Sequence, residues 1–313
     1  MTAVSTASLF QSALLNIQNN QNQLAKLSDQ AGSTFVSQNL AGYGDQAGQL
    51  TALNSTASRL SSYVNGTQAL SDKLDTQNTA LTAVNTAAQG AVSAINEALA
   101  NNSASTLLST LQSQLTAASS ALNTQLNGQY LFSGGNVNTP PVANSTLSSL
   151  NTAADVTAAF QNGQTPSVGR IDANTTVQTG VLASNVASPL FSALQAVQAF
   201  NAGPNGPLTG SLTSAQSTFL NGVVAQFNSA LATTTSAVAN NGVVQQQVTT
   251  ANTNLTDQQT ALTGVIGNIT DTNEAQVSNQ INLAQTALQV SAEVFQGLQS
   301  DSLLNILTPS TGG

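Results

Sequence analysis

Apolar positions recur at alternating spacings of three and four residues over most of this chain, the pattern of amphipathic helices. From residue 50 the series runs Leu50, Leu53, Ala57, Leu60, Val64, Thr67, Ser71, Leu74, Asn78, Leu81, Val84, Ala88, Val92, Ile95 and Leu99. It predicts one helix of about 50 residues whose apolar seam is softened by small and polar positions. After a polar break at Asn101-Asn102-Ser103, a second seam runs through Leu108, Leu111, Leu115, Ala118 and Leu122. That helix is expected to close at Asn127-Gly128, where glycine can take the left-handed conformation that ends many helices. A third seam uses Leu212, Gln216, Phe219, Val223, Gln226, Ala230, Ala237, Val244, Val248, Ala251, Leu255 and Leu262. Helical patterns longer than about 25 residues imply rod-like or coiled-coil packing, so the first and third helices are expected to pair. The plainer reading makes the same residues the core of a helical bundle.

Both ends carry seams of their own. Near the start, Phe10, Leu14, Ile17, Leu24 and Ala31 keep the spacing, with Gln21 in line. Near the finish, Val277, Ile281, Ala284, Leu288, Phe295 and Leu298 keep it, with Ser291 in line, before Ser302-Leu303-Leu304-Asn305-Ile306-Leu307. Asp271-Thr272-Asn273-Glu274 reads as the start of the last helix, Asp271 capping exposed backbone N–H groups. Residues 35–49, FVSQNLAGYGDQAGQ, read as a connector.

Only the centre departs from the helical pattern. Residues 133–187 collect Gly, Pro, Asn and Thr, and RIDANTTVQTGVL (170–182) alternates β-branched residues as strands do. PLFSALQAVQAFN (189–201) predicts one short helix before AGPNGPLTG turns the chain. Just upstream, NGQYLFSGGNVNTPP (127–141) holds two of the three Tyr and nine Phe residues in the protein. It reads as a corner in which Tyr130 and Phe132 anchor a hairpin strand against the long helices, Gly and Pro supplying the reversal. The fold class expected is therefore mainly α: helices at both ends, long rod-like helices inside them, and a small central mixed or β-rich insert. The terminal-helix domain takes 1–34 and 271–313, the connector 35–49, the helical rod 50–140 and 210–270, and the outer domain 141–209.

Charge narrows the function. Only 4 basic and 12 acidic side chains occur in 313 residues, for a net charge of −8. Residues 98–154 and 173–256 carry none. Four cations cannot neutralise a run of phosphates or an anionic lipid surface, so nucleic-acid binding and polybasic membrane binding lose their main source of affinity. No run of about 18 apolar residues exists, so membrane insertion is not expected, and the N-terminus lacks the basic and apolar regions of a secretory signal peptide. An ion-poor Ser/Thr/Asn/Gln surface favours packing against copies of itself, because few charges need desolvating.

The chain has no His and no Cys. Histidine- or cysteine-based triads and metal sites are therefore excluded within one chain, and no metal or cofactor is expected. Of the carboxylates, Asp72 and Asp75 read as a solvated helix face beside Lys73, and Asp155 and Asp172 as loop residues, not as a pair across a cleft. Gly134-Gly135 lacks the Gly-Lys-Ser/Thr of a phosphate loop. An enzyme is not expected. What remains is two terminal helices whose seams need burial, yet which are too weakly apolar to stand alone in water. They must pack on each other, on other copies, or both, as a polymer-forming subunit requires.

These residues resemble the flagellin superfamily of bacterial flagellar axial proteins, over roughly residues 1–140 and 210–310. DTNEAQVSNQINLAQTALQVSAEVFQGLQSDSLLNIL resembles its C-terminal ending, an acidic break before a Gln- and Ala-rich helix that closes with Leu303, Leu304 and Leu307. QNNQNQLAKLSDQAGSTF resembles the matching N-terminal helix and turn, although Ala31-Gly32-Ser33 replaces the usual Ser-Gly-Lys/Arg. Within the superfamily, Asn127, Gly128, Tyr130, Leu131, Phe132, Gly134, Thr139 and Pro140 are similar to the turn of the hook-filament junction branch, hook-associated protein 3. The resemblance implies a fold, an elongated rod of long antiparallel helices whose terminal helices pair as a coiled coil, with a small central mixed or β-rich outer domain, and export through the flagellar type III apparatus without a cleaved signal peptide. It also implies an export chaperone on the C-terminal helix, and assembly outside the cell into a ring or helical filament with hook-associated protein 1 and flagellin. Phe10, Leu14, Ile17 and Leu24 are expected to pack with Val277, Ile281, Leu288, Phe295 and Leu298 within and between subunits, and Leu303, Leu304 and Leu307 to serve the end contact or the chaperone. Flagellin itself, the major filament subunit, is the alternative within the family. A surface adhesin or matrix protein is the alternative outside it.

Overall fold

The computed structural model describes the backbone of residues 2–143, 146–152 and 155–307, and the side chains of 8–143, 146–151 and 155–300 within these. The fold is mainly α. Six helices carry most of it: α1 (Thr2–Ser33), α2 (Ala47–Ala100), α3 (Leu107–Leu122), and, after the short α4 (Leu147–Thr152), α5 (Ala183–Ala202), α6 (Ser214–Thr270) and α7 (Glu274–Leu307). The strands form two hairpins, β1 (Gln125–Leu126) with β2 (Gln129–Tyr130) and β3 (Val168–Arg170) with β4 (Thr176–Gln178), both antiparallel. Two compact units divide the chain: residues 1–59 with 259–313, and residues 60–258.

The larger unit holds the main core. From Ala80 the buried face of α2 widens beyond one seam to Leu81, Val84, Ala87, Ala88, Ala91, Ala94, Ile95 and Ala98. Alanines at this density let α3, α5 and α6 crowd around one helix, and Leu111, Leu115, Leu122, Leu190, Phe191, Leu220 and Phe227 fill the gaps at or near zero exposure. On α6 the expected seam is buried at Gln216, Val223, Ala230, Val248 and Leu255, but at two positions the next residue turns inward instead: Leu220 in place of Phe219, which is half-buried, and Phe227 in place of Gln226, which is exposed. Neighbouring helix positions lie about 100° apart, so packing settles locally which of the two faces inward.

Where the seam thins, polar pairs join α2 to α6. Asn252 Nδ2 donates to Thr67 Oγ1 at 2.7 Å, Gln245 Nε2 to Asp75 at 2.7 Å, Gln77 Nε2 to Asn241 Oδ1 at 2.8 Å and Asn85 Nδ2 to Thr234 Oγ1 at 2.9 Å. The partner numbers fall on one helix as they rise on the other, which fixes an antiparallel register. Thr67, Gln77, Thr234 and Asn241 are fully buried, so a slip along the pair would strand amides without partners. Over the same stretch the β3–β4 hairpin lies on the helices through Ile171 and Val177, clustered with Leu70, Leu74, Val244 and Val248. Lys73 Nζ reaches across to Ser167 Oγ at 2.6 Å, and burial holds its ammonium pKa below the ordinary value.

The segment 127–141 differs from expectation in one respect. α3 ends at Leu122 with Asn123 as its cap, and Asn127-Gly128 is instead the two-residue turn of the β1–β2 hairpin. Both residues have positive φ, 53° and 79°, the conformation that makes Asn-Gly the favoured short hairpin turn. The aromatic residues behave as a corner: Phe132 is fully buried in the main core and Tyr130 half-buried at the end of β2. The corner also starts a helix. Ala183 N donates to Phe132 O and Ser184 N to the Asn162 side chain, so α5 begins six residues before Pro189 without a side-chain cap from its own first residue.

Gly134 stands at φ 59°, and a Cβ there would meet Leu182 Cδ2 at 2.6 Å and Thr165 O at 2.8 Å. Gly134→Val therefore combines backbone strain with a backbone clash. It is expected to destabilise the larger unit by about 2–4 kcal/mol in urea unfolding, while Gly135→Ala, with open space around its Cα, is expected to cost under about 1 kcal/mol.

Candidate assembly surface

α1 and α7 pack antiparallel in the smaller unit. Main-chain bonds hold one end: Val36 N donates to Thr270 O at 2.8 Å and Thr272 N to Thr34 O at 2.8 Å, around a bridge between Phe35 and Asp271. Asp271 is thus part of the closure and not the cap of α7. The cap is Asn273, whose Oδ1 accepts from Gln276 N at 3.0 Å, while the Asp271 carboxylate accepts from Thr270 Oγ1 at 2.9 Å.

From that closure the interface runs through Leu27 and Leu24 against Val277, Ile281 and Ala284. It continues past an Asn20 Nδ2 to Ser291 Oγ bond of 3.1 Å to an edge-on contact of Phe10 and Phe295, rings 5.7 Å apart. On α7 the inward positions are Val277, Ile281, Ala284, Leu288, Ser291, Phe295 and Leu298, all buried or half-buried. On α1 they are Phe10, Ala13, Ile17, Asn20, Leu24 and Leu27, an unbroken three-four alternation. The sequence seam through Leu14, Gln21 and Ala31 is one position off: all three are exposed, Leu14 by 48%. Leu27, at 4%, was absent from that seam. Two registers of the same period compete in α1, and the partner helix favours the one that places an amide opposite Ser291. Leu303, Leu304 and Leu307 belong to α7, but their side chains lie outside the described residues.

The pair leaves a second apolar line uncovered. Leu283 is 70% exposed, Val290 53% and Val294 52%, and with the exposed Ala287 they repeat at four, three and four residues. At 3.6 residues per turn this line lies about 100° round α7 from the buried one, the geometry of a helix built for two neighbours. On α1, Leu9, Leu14 and Leu15 are also exposed. Only Glu293 among the described side chains between Ile281 and Ser300 carries charge, so contact along α7 desolvates little.

Several acidic side chains are engaged in turns and helix contacts. Asp155 caps a short turn through Thr157 N at 3.0 Å. Asp172 accepts from Asn174 N and Thr175 N at 2.7 Å each. These bonds, Asn174 first, and Arg170 hold its pKa below the usual carboxylate value. Asp75 is tied to Gln245 and Asp72 to Gln68. Among the described residues no group of three or more potential metal ligands converges, and no helix is long and apolar enough to cross a membrane.

No protein-family model matches the sequence, and no curated protein matches it. Solved structures do match the fold. A putative flagellar hook-associated protein from Vibrio parahaemolyticus superposes with a TM-score of 0.58 at 15% identity, over 74% of this chain and 99% of that one. Bacillus cereus FlgL superposes with a TM-score of 0.54 at 14% identity, over 69% of this chain and 99% of that one. At such identities the likeness is one of fold.

Proposed function

We propose that this chain is a structural subunit of the bacterial flagellum, a hook-filament junction protein that polymerises through its terminal helices, transmits torque and performs no catalysis. The observation that carries the reading is the second apolar line of α7, Leu283, Val290 and Val294, exposed on a helix whose first line is already buried against α1. A protein that kept this helix pair as a final state would hide or polarise that line. Support also comes from the likeness in fold to a putative flagellar hook-associated protein and to FlgL, and from a turn at Asn127–Pro140 that resembles the junction branch.

In this reading subunits meet through heterologous contacts that close into a short ring, with hook-associated protein 1 on one side and flagellin on the other. The chain leaves the cell through the type III apparatus without a cleaved signal, its C-terminal helix held by a chaperone until assembly. The outer face of α7 then meets a neighbouring subunit, and Leu303, Leu304 and Leu307 serve the end contact.

Val290→Asp with Val294→Asp places two carboxylates on the uncovered line while sparing the buried one. Sedimentation of the purified protein is expected to show loss of assembled species with unchanged helicity. Cells lacking the protein are expected to carry bare hooks and to secrete flagellin; loss of the filament subunit itself would instead identify this chain as flagellin.

A further inference from the structure

A cleft of about 740 Å³ opens in the larger unit between the β3–β4 hairpin and α6. Its walls come from Leu74 and Gln77 of α2, residues 178–182 at and beyond the end of β4, and Ala237 and Val244 of α6. No charged side chain lines it. The volume is that of a small-ligand site, and the terminal-helix surface does not involve it.

Two features of the cleft are unspent. Only three buried side-chain polar atoms lack a partner among the described residues, and two belong to its walls: Gln77 Oε1 and Thr179 Oγ1. The amide of Gln77 donates to Asn241, which donates to Leu74 O at 3.0 Å, so this relay ends on an acceptor that receives nothing. Buried polar groups are almost always satisfied, and one that is not calls for a partner.

The second feature is a strand edge. Thr179 N donates to Ser167 O and Ile171 N to Thr175 O, which makes 167/179, 169/177 and 171/175 the hydrogen-bonded pairs of this antiparallel ladder. Gln178 and Thr176 alternate with them, so their main-chain N–H and C=O point away from β3, and Gln178 is a residue of the cleft wall. Among the described residues the sheet has two strands.

We propose that this cleft is a peptide-binding site: an uncharged, extended segment of a partner protein adds as a third strand along β4. A peptide brings alternating main-chain donors and acceptors to the free edge, and its insertion parts the wall so that its N–H groups reach the two unpartnered acceptors, which are buried in the free protein. Its small or β-branched side chains meet Val181, Ala237 and Val244, and any charge it carried would be desolvated without a counter-ion. A sugar, the other neutral polar ligand of this size, finds no aromatic platform among the lining residues.

The protein contains no Trp, so a tryptophan-bearing probe reports its own binding against a dark background. Acetyl-Ser-Val-Ser-Val-Trp-amide titrated with the full chain is expected to give a saturable blue shift, and the analogue with Lys for both Ser residues to bind about tenfold more weakly. Thr179→Val removes a hydroxyl that has no partner in the free protein, so it is expected to hold or raise the Tm while weakening the peptide about tenfold. A merely structural residue would not separate the two readouts. Ser236→Trp, an exposed cleft residue on α6, is expected to abolish binding by filling the cleft, with the probe then followed by a fluorescein label. The proposal is overturned if the probe does not saturate, if neither substitution alters its affinity, or if N,N′-diacetylchitobiose displaces it at equal concentration.

Discussion

Deletion of residues 274–313 is expected to abolish assembly and to remove more helix than the 34 residues of α7 it takes away. α1 has 32 residues, and the side chains that bury its inner face, Val277, Ile281, Ala284 and Phe295, all lie in the deleted segment. An isolated helix of weak amphipathicity is marginal in water, where nucleation is costly and packing supplies most of the stability. α1 should therefore melt with its partner lost. Far-ultraviolet circular dichroism should register a loss near the sum of the two helices, roughly twice that expected for α7 alone. The larger unit, whose core lies within residues 60–258, should still unfold cooperatively in urea. If the truncated protein sedimented as assembled species, the terminal helices would not be the assembly surface.

The second large effect belongs to the aromatic corner. Phe132→Ala is expected to destabilise the larger unit by about 3–5 kcal/mol, enough to consume a large part of the stability of an ordinary domain. Phe132 is fully buried among the main core cluster, and its carbonyl receives the first N–H of α5, so the cavity opens where a helix begins. Tyr130→Ala, at a half-buried position two residues away, is expected to cost less than half as much. Urea denaturation followed by circular dichroism separates the two. Equal effects would mean that the corner is held by its turn and not by its buried ring.

Two details of the site show where pattern reading stops. Leu14 and Ala13 are both consistent with a three-four seam through Phe10 and Ile17, and only the position of Ser291 and Phe295 across the interface settles which faces inward. The Asp271–Glu274 stretch has three residues able to cap α7, Asp271, Thr272 and Asn273, and with 270–272 taken up in the bridge to Phe35, Asn273 does it. In each case the alternatives differ little in local energy, and a long-range partner decides.

The sequence by itself determined the mainly α class, the presence of the long helices, the need of the terminal ones for a helical partner and the absence of histidine or cysteine chemistry. Those properties depend on periodicity and composition, which are local and repeat many times, so single ambiguous residues average out. Strand character near the centre was legible for the same reason, through β-branched alternation over 170–182, but its bounds were not: β3 and β4 take Val168–Arg170 and Thr176–Gln178. Only the tertiary structure decided which of two neighbouring registers is buried, as at Phe227 against Gln226. It alone started α5 at Ala183 on the carbonyl of Phe132, left Leu283, Val290 and Val294 without cover, and placed Gln77 and Thr179 beside a strand edge with nothing to bind. Each of these depends on contacts between residues far apart in the chain, and a one-residue rotation that costs a helix almost nothing changes every one of them.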